Sequence, residues 1–188
     1  MPHIHTGKNQ HDLTVTAYIV RVDRDEPMVL VHVHKKYGVL LPVGGHVELD
    51  ETPWQAIAHE LEEESGYTLD QLKLVQPNSR LKKISMAAQH PYPLVMNTHD
   101  VPVDHYHTDI SYGFVTEGDP RLEIVGDESH DLRWLTRAEL NSKVGGNMYA
   151  NTREIYNFLF DEALPHWDRI DTNGFLLEYP ASFLNEPV

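Results

Sequence analysis

The chain has 188 residues, 40% of them hydrophobic, with a formal net charge of -14 and no cysteine. That length suits one domain with a substantial core, expected over residues 1–188, with the core at about 12–163 and a C-terminal segment at 164–188. The surplus of carboxylates argues against long nucleic acid as a partner, since that binding relies on clustered Lys and Arg. The absence of cysteine excludes disulfides, thiolate nucleophiles and Cys-type zinc sites. No apolar run approaches the roughly 20 residues of a membrane span, and the polar start, Met1 to Asp12, lacks the pattern of a signal peptide. The expected setting is therefore cytoplasmic, without a membrane partner.

In chain order, Leu13 to Val22 is rich in β-branched and aromatic residues and reads as a strand. Met28 to Lys36 reads as its neighbour, with Val29, Val31 and Val33 on one face and Leu30, His32 and His34 on the other. Val39-Leu40-Leu41 runs into Pro42 and the pair Gly44-Gly45, where backbone can approach a ligand closely. A helix follows, with Thr52 as N-cap, Pro53 at its first position, a Thr-x-x-Gln capping box completed by Gln55, and Gly66 as terminator. Trp54, Ile57, Ala58 and Leu61 form its buried stripe. Leu72 to Val75, Arg80 to Gln89 and Thr108 to Glu117 are expected as further strands. The prolines at 77, 91, 93 and 102 mark turns. Residues 90–107 read as a long Pro- and His-rich connection facing a substrate. Asp131 to Leu135 is a short strand, Thr136 to Glu139 a second capping box, and Asn151 to Ala163 an amphipathic helix in which Ile155, Phe158, Leu159 and Glu162 separate apolar and polar faces. The last 25 or so residues read as irregular, yet Trp167, Phe175 and Phe183 make them too aromatic for a disordered tail. They suit wrapping of the domain or a homodimer contact. Together these elements predict an α/β fold, a mixed sheet between helical layers.

Chemistry concentrates on the helix after Gly44-Gly45. Glu60, Glu63 and Glu64 stand at i, i+3 and i+4, so three carboxylates share one stripe. Like charges so placed repel unless cations gather there, and hard divalent ions with a preference for oxygen are the natural occupants. A solvated acidic face is the plainer reading of such a run. It accounts neither for the glycine pair nor for the spacing of the acids.

That spacing resembles the Nudix box, the signature of hydrolases that cleave a nucleoside diphosphate linked to another group. Gly45, Glu51, Glu60, Leu61, Glu63, Glu64, Gly66 and Tyr67 fall on the pattern in register across residues 45–67. His59 stands where the family has arginine. The resemblance implies a Nudix-type α/β/α sandwich and a phosphoanhydride hydrolase that uses Mg²⁺, or Mn²⁺ in its place, on a small-molecule nucleotide substrate. It implies Glu60 and Glu64 as first metal ligands, Glu63 as a third, and Glu63 or Glu64 as the base. Glu51 is then an orienting partner, and His59 replaces the arginine that steadies the acids. Glu128, before the Trp134 strand, is a further metal candidate by the same likeness, with an exposed turn acid as the alternative. Two other functions compete. A non-catalytic Nudix-like nucleotide sensor would not need all three acids. An isomerase of the same fold would need a cysteine.

Thirteen histidines include three pairs spaced to point the same way in extended chain: His3/His5, His32/His34 and His105/His107. Such pairs can bind Zn²⁺, although chance pairs are expected at this frequency. His105 and His107, with Gly44 and Gly45, are carried as substrate-binding candidates. Tyr106, Tyr112 and Phe114 could stack on a base, but aromatic residues in strands are more often core.

Overall fold

A computed structural model describes residues 7–85, 87–101, 105–124, 129–142 and 147–178. Among these residues, strand β1 (His11–Arg21) is the spine of a nine-stranded sheet. One edge of β1 runs parallel to β7 (His105–Thr116), in register from His11↔Tyr106 to Arg21↔Thr116. Its other edge is shared antiparallel by β2 (Met28–Val33) and β4 (Val43–His46), the latter in register from Thr14↔His46 to Ala17↔Val43. Strand β3 (Leu40–Leu41) and β8 (Leu132–Thr136) flank β2. Strands β5 (Lys73–Gln76) and β6 (Val95–Val101) pair with β7, and β9 (Asp168–Asp171) adds to β5. Among the described strands, the parallel β1–β7 pair beside antiparallel pairs makes the sheet mixed, as expected.

Alternation along β1 divides the core between the two faces. Val15, Ala17 and Ile19 face helix α1 (Pro53–Ser65) and pack with Leu30, Val43, Trp54, Ile57, Leu61, Tyr112 and Phe114. Tyr18 and Val20 face the other way, into a layer with Val29, Val31, Ile155, Tyr156 and Leu159. That layer belongs to α3 (Ala150–Phe158), which continues as a π-helical turn at Leu159–Ala163 before α4 (Leu164–His166). The short helix α2 (Arg137–Leu140) opens with the expected capping box from Thr136 and Glu139. Helices on both faces of one sheet complete the α/β/α sandwich.

Three expectations are corrected. Arg80 to Gln89 forms no strand among its described residues; Val95–Val101 does instead, turning much of the 90–107 connection into the antiparallel partner of β7. The apolar residues of 80–89 are interrupted by Lys82 and Lys83, and Leu81 and Ile84 are exposed, whereas β6 meets ladder partners along its full length. The C-terminal segment supplies strand β9. It also wraps the molecule, because Phe175 packs against Trp54 at 5.5 Å between ring centroids. On the third helix Phe158 is exposed, and Ile155, Tyr156 and Leu159 form the buried face. Phe183 lies outside the described residues.

Candidate active site

Helix α1 is held at both ends as its sequence predicts. Thr52 Oγ1 accepts from the Gln55 N–H, and the Gln55 side chain reciprocates on the Thr52 N–H at 2.9 Å. A cap of this kind contributes about 1 kcal/mol. At the far end Gly66 takes φ 72°, a left-handed conformation that glycine adopts without a Cβ clash, and donates to the Glu62 carbonyl. Trp54, Ala56, Ile57 and Leu61 are buried, whereas Ala58, expected in that stripe, is only half-buried.

The acids do not share one exposed face. Glu60 is wholly buried and Glu64 is 7% exposed, whereas Glu63 faces solvent. Glu60 and Glu64 press against β4, and the glycine pair makes this contact sterically feasible. A Cβ on Gly45 would lie 2.0 Å from Glu60 Oε1, and one on Gly44 would lie 2.2 Å from the Val15 carbonyl oxygen. The Gly44 N–H donates to Glu64 Oε2 at 2.9 Å. Burying carboxylates is costly unless charge is balanced nearby, so this arrangement asks for a cation.

His59 is one such cation. Its Nδ1 lies 2.9 Å from Glu51 Oε2 and its Nε2 3.6 Å from Glu60 Oε1. The Glu51 side chain in turn accepts the Glu48 N–H at 2.8 Å, anchoring the chain of contacts in the loop before the helix. Glu60 raises the His59 pKa most, to about 9, with Glu51 and Glu63 adding to it and partial burial opposing. By distance Glu51 is the better hydrogen-bond partner; both carboxylates act in the same direction. The ring is thus charged at neutral pH and spans two acids, as an arginine would.

His32, on β2, approaches Glu64 Oε2 at 3.7 Å, a distance that suggests an ion pair. Burial first, and then His34, push its pKa down to about 4, so the ring is neutral at pH 7. At 3.7 Å it also exceeds hydrogen-bond length. We therefore read it as a neutral packing contact.

The other predicted residues fall elsewhere. His105 and His107 lie within β7, on the sheet face opposite α1, close to Asp12 on β1 and His46 on β4. Tyr112 and Phe114 are core residues beside Trp54, while Tyr106 is exposed. Glu128, His3 and His5 lie outside the described residues.

Sequence reasoning missed Asp12, His46 and Asp109, which are distant in the chain and join only across the sheet. Asp109 accepts hydrogen bonds from Thr14 Oγ1 at 3.0 Å, Thr16 Oγ1 at 2.7 Å and Ser111 Oγ at 2.6 Å. Burial raises its pKa, opposed by those three hydroxyl donors. The available signal was the alternation His105, His107, Asp109, Ser111 along one strand face.

Comparison with known proteins accords with this geometry. The sequence profile of the NUDIX domain matches residues 12–157. A NUDIX family hydrolase from Clostridium perfringens is 32% identical with a TM-score of 0.62, over 79% of this chain and 97% of that one. A Caenorhabditis elegans Ap4A hydrolase is 15% identical with a TM-score of 0.56, over 78% of this chain and 93% of its own. The NUDIX domain of Shewanella oneidensis NrtR, solved with ADP ribose, is 12% identical with a TM-score of 0.56, over 85% and 93%. No curated protein sequence matches. With the profile spanning most of the chain and the box folded around its glycine pair, the chain belongs to the NUDIX family and is a hydrolase of phosphorus-containing anhydrides.

Proposed function

We propose that the protein is a Mg²⁺-dependent pyrophosphohydrolase that splits a nucleoside diphosphate linked to another moiety. The observation that carries this reading is the approach of Glu60 and Glu64 to Gly44-Gly45, with charged His59 between Glu51 and Glu60.

The donor set fits a hard divalent ion. It consists of carboxylate oxygens on a capped helix beside backbone that carries no side chain, which is the chemistry Mg²⁺ and Mn²⁺ favour. Glu60 and Glu64 would hold the ion, with Glu63 as the solvent-side ligand. When bound, it relieves charge on the phosphoryl oxygens and acidifies water. Glu64 or Glu63 accepts the proton as the oxygen of water bonds to phosphorus and the P–O bond to the leaving phosphate breaks. His59 holds Glu60 in place, and Glu51 orients His59. Gly44 and Gly45 leave room for a substrate phosphate to approach. The reading spans one domain and keeps the cytoplasmic expectation drawn from composition.

The test is a panel of nucleoside triphosphates, dinucleoside polyphosphates, ADP-ribose and nucleotide sugars, assayed by phosphate release with and without Mg²⁺. Turnover of at least one compound that needs Mg²⁺ and fails in Glu64→Gln is the expected result. Nucleotide binding without turnover of any compound would establish the sensor alternative instead.

A further inference from the structure

A second group of polar side chains stands on the other face of the same strands. β7 presents His105 and His107 on one side, two residues apart, and Asp12 is paired with His107 across the parallel β1–β7 ladder. One ligand atom from each of Asp12, His105 and His107 lies within 4.8 Å of the others. His46, on the opposite neighbour of β1, brings its Nε2 to 3.8 Å from Asp12 Oδ2, and its ring is 4.9 Å from that of His107. Asp12, His105 and His46 are buried or nearly so, while exposed His99 at 5.5 Å from His107 marks the solvent side.

We infer that Asp12, His46, His105 and His107 form a binding site for a Zn²⁺ ion, separate from the glutamates of α1. Three imidazoles with one carboxylate are a zinc-type donor set, whereas Mg²⁺ demands oxygen. Tetrahedral zinc with bonds of about 2.0–2.1 Å spaces its ligand atoms about 3.3 Å apart, so the triad closes on an ion with shifts of under about 1 Å per atom. Four protein ligands close the coordination shell, which makes the ion structural. It joins β1, β4 and β7, and through His46 it fixes the strand whose preceding residues, Gly44 and Gly45, face the acids.

The experiment uses the full chain without an affinity tag, stripped with EDTA and titrated with Co²⁺ as the visible probe. One equivalent should give the intense d–d bands of a four-coordinate ion, be displaced by Zn²⁺, and raise Tm. The bands should persist in Glu64→Gln and vanish in His107→Ala and Asp12→Asn. Because the variants could unfold, the native protein is also titrated with Zn²⁺ while its histidine ring nitrogens are followed by NMR. Shifts should fall on His46, His105 and His107. A native protein without four-coordinate bands, bands lost in Glu64→Gln but kept in His107→Ala, or ring shifts confined to other histidines would each overturn the site. None of these readouts uses phosphoanhydride turnover, so the outcome is independent of the hydrolase reading.

Discussion

Strand β4 carries two different chemistries on its two faces. Toward α1, Gly45 meets the buried carboxylate of Glu60, with charged His59 alongside; toward the opposite layer, His46 joins Asp12, His105 and His107. The first face is anionic and relies on glycine, because any side chain would displace an acid. The second is mostly imidazole, and burial there lowers the pKa of His107 to about 4. Adjacent residues of one strand can therefore serve a hard ion on one side and a nitrogen-preferring ion on the other, since the pleat sends them apart.

The sharpest way to break this contrast is Glu64→Gln. It should lower kcat about 10²- to 10⁴-fold, the range for losing a positioned acid or base, without altering Co²⁺ uptake at the histidines. Steady-state phosphate release checks it, and near-native kcat would remove Glu64 from the site.

The neutral histidines predict an acid limb in stability. His32 and His107 have folded pKa values near 4 against 6.5 for the free side chain, so between those values the unfolded chain binds more protons. Stability is full above about 6.5 and falls as pH drops toward 4, by up to about 3 kcal/mol for His32 if the full shift is realised. Urea denaturation of native protein and His32→Gln at pH 7, 5.5 and 4.5 measures this. A slope unchanged by the substitution would show that His32 is not held neutral.

Substituting the glycines separates packing from chemistry. Gly44→Ala sets a Cβ against backbone and should cost about 1–3 kcal/mol of stability. Gly45→Ala sets it against Glu60, a side chain that can swing away, so stability should fall less than in Gly44→Ala while kcat falls. Native turnover in Gly45→Ala would mean that the position of Glu60 does not matter.

The smallest expected effect is at His59. His59→Ala should reduce kcat about 10- to 100-fold, as loss of a residue supporting metal ligands commonly does. His59→Arg should retain activity and carry it past pH 9. The sign follows from the raised pKa: the folded protein holds His59 as a cation through neutral pH and loses that charge as pH rises through about 9. Equal turnover of native and His59→Ala from pH 6 to 9 would exclude the role.

Much of the α1 side was legible because its information is local. Thr52, Gln55 and Gly66 act within one or a few turns of the helix, so capping and termination follow from the order of residues alone. The 3.6-residue period likewise put Trp54, Ile57 and Leu61 in the core. It could not tell that Glu60 would be buried and Glu63 exposed, since that depends on how closely a separate strand approaches. The strand expected at 80–89 failed for the same reason: β6 exists because β7 offers it partners, and propensity does not report partners.

From its sequence alone, this protein's family, its acidic helix and the glycine pair beside it were determined, because spacing along one helix and one turn encodes them. Tertiary structure alone decided that Glu60 would be buried against Gly45, and that Asp12, His46, His105 and His107 would meet. Those contacts arise from strand register and from β4 folding back on β1, which bring together residues separated by up to 95 positions and leave no periodic trace in the chain.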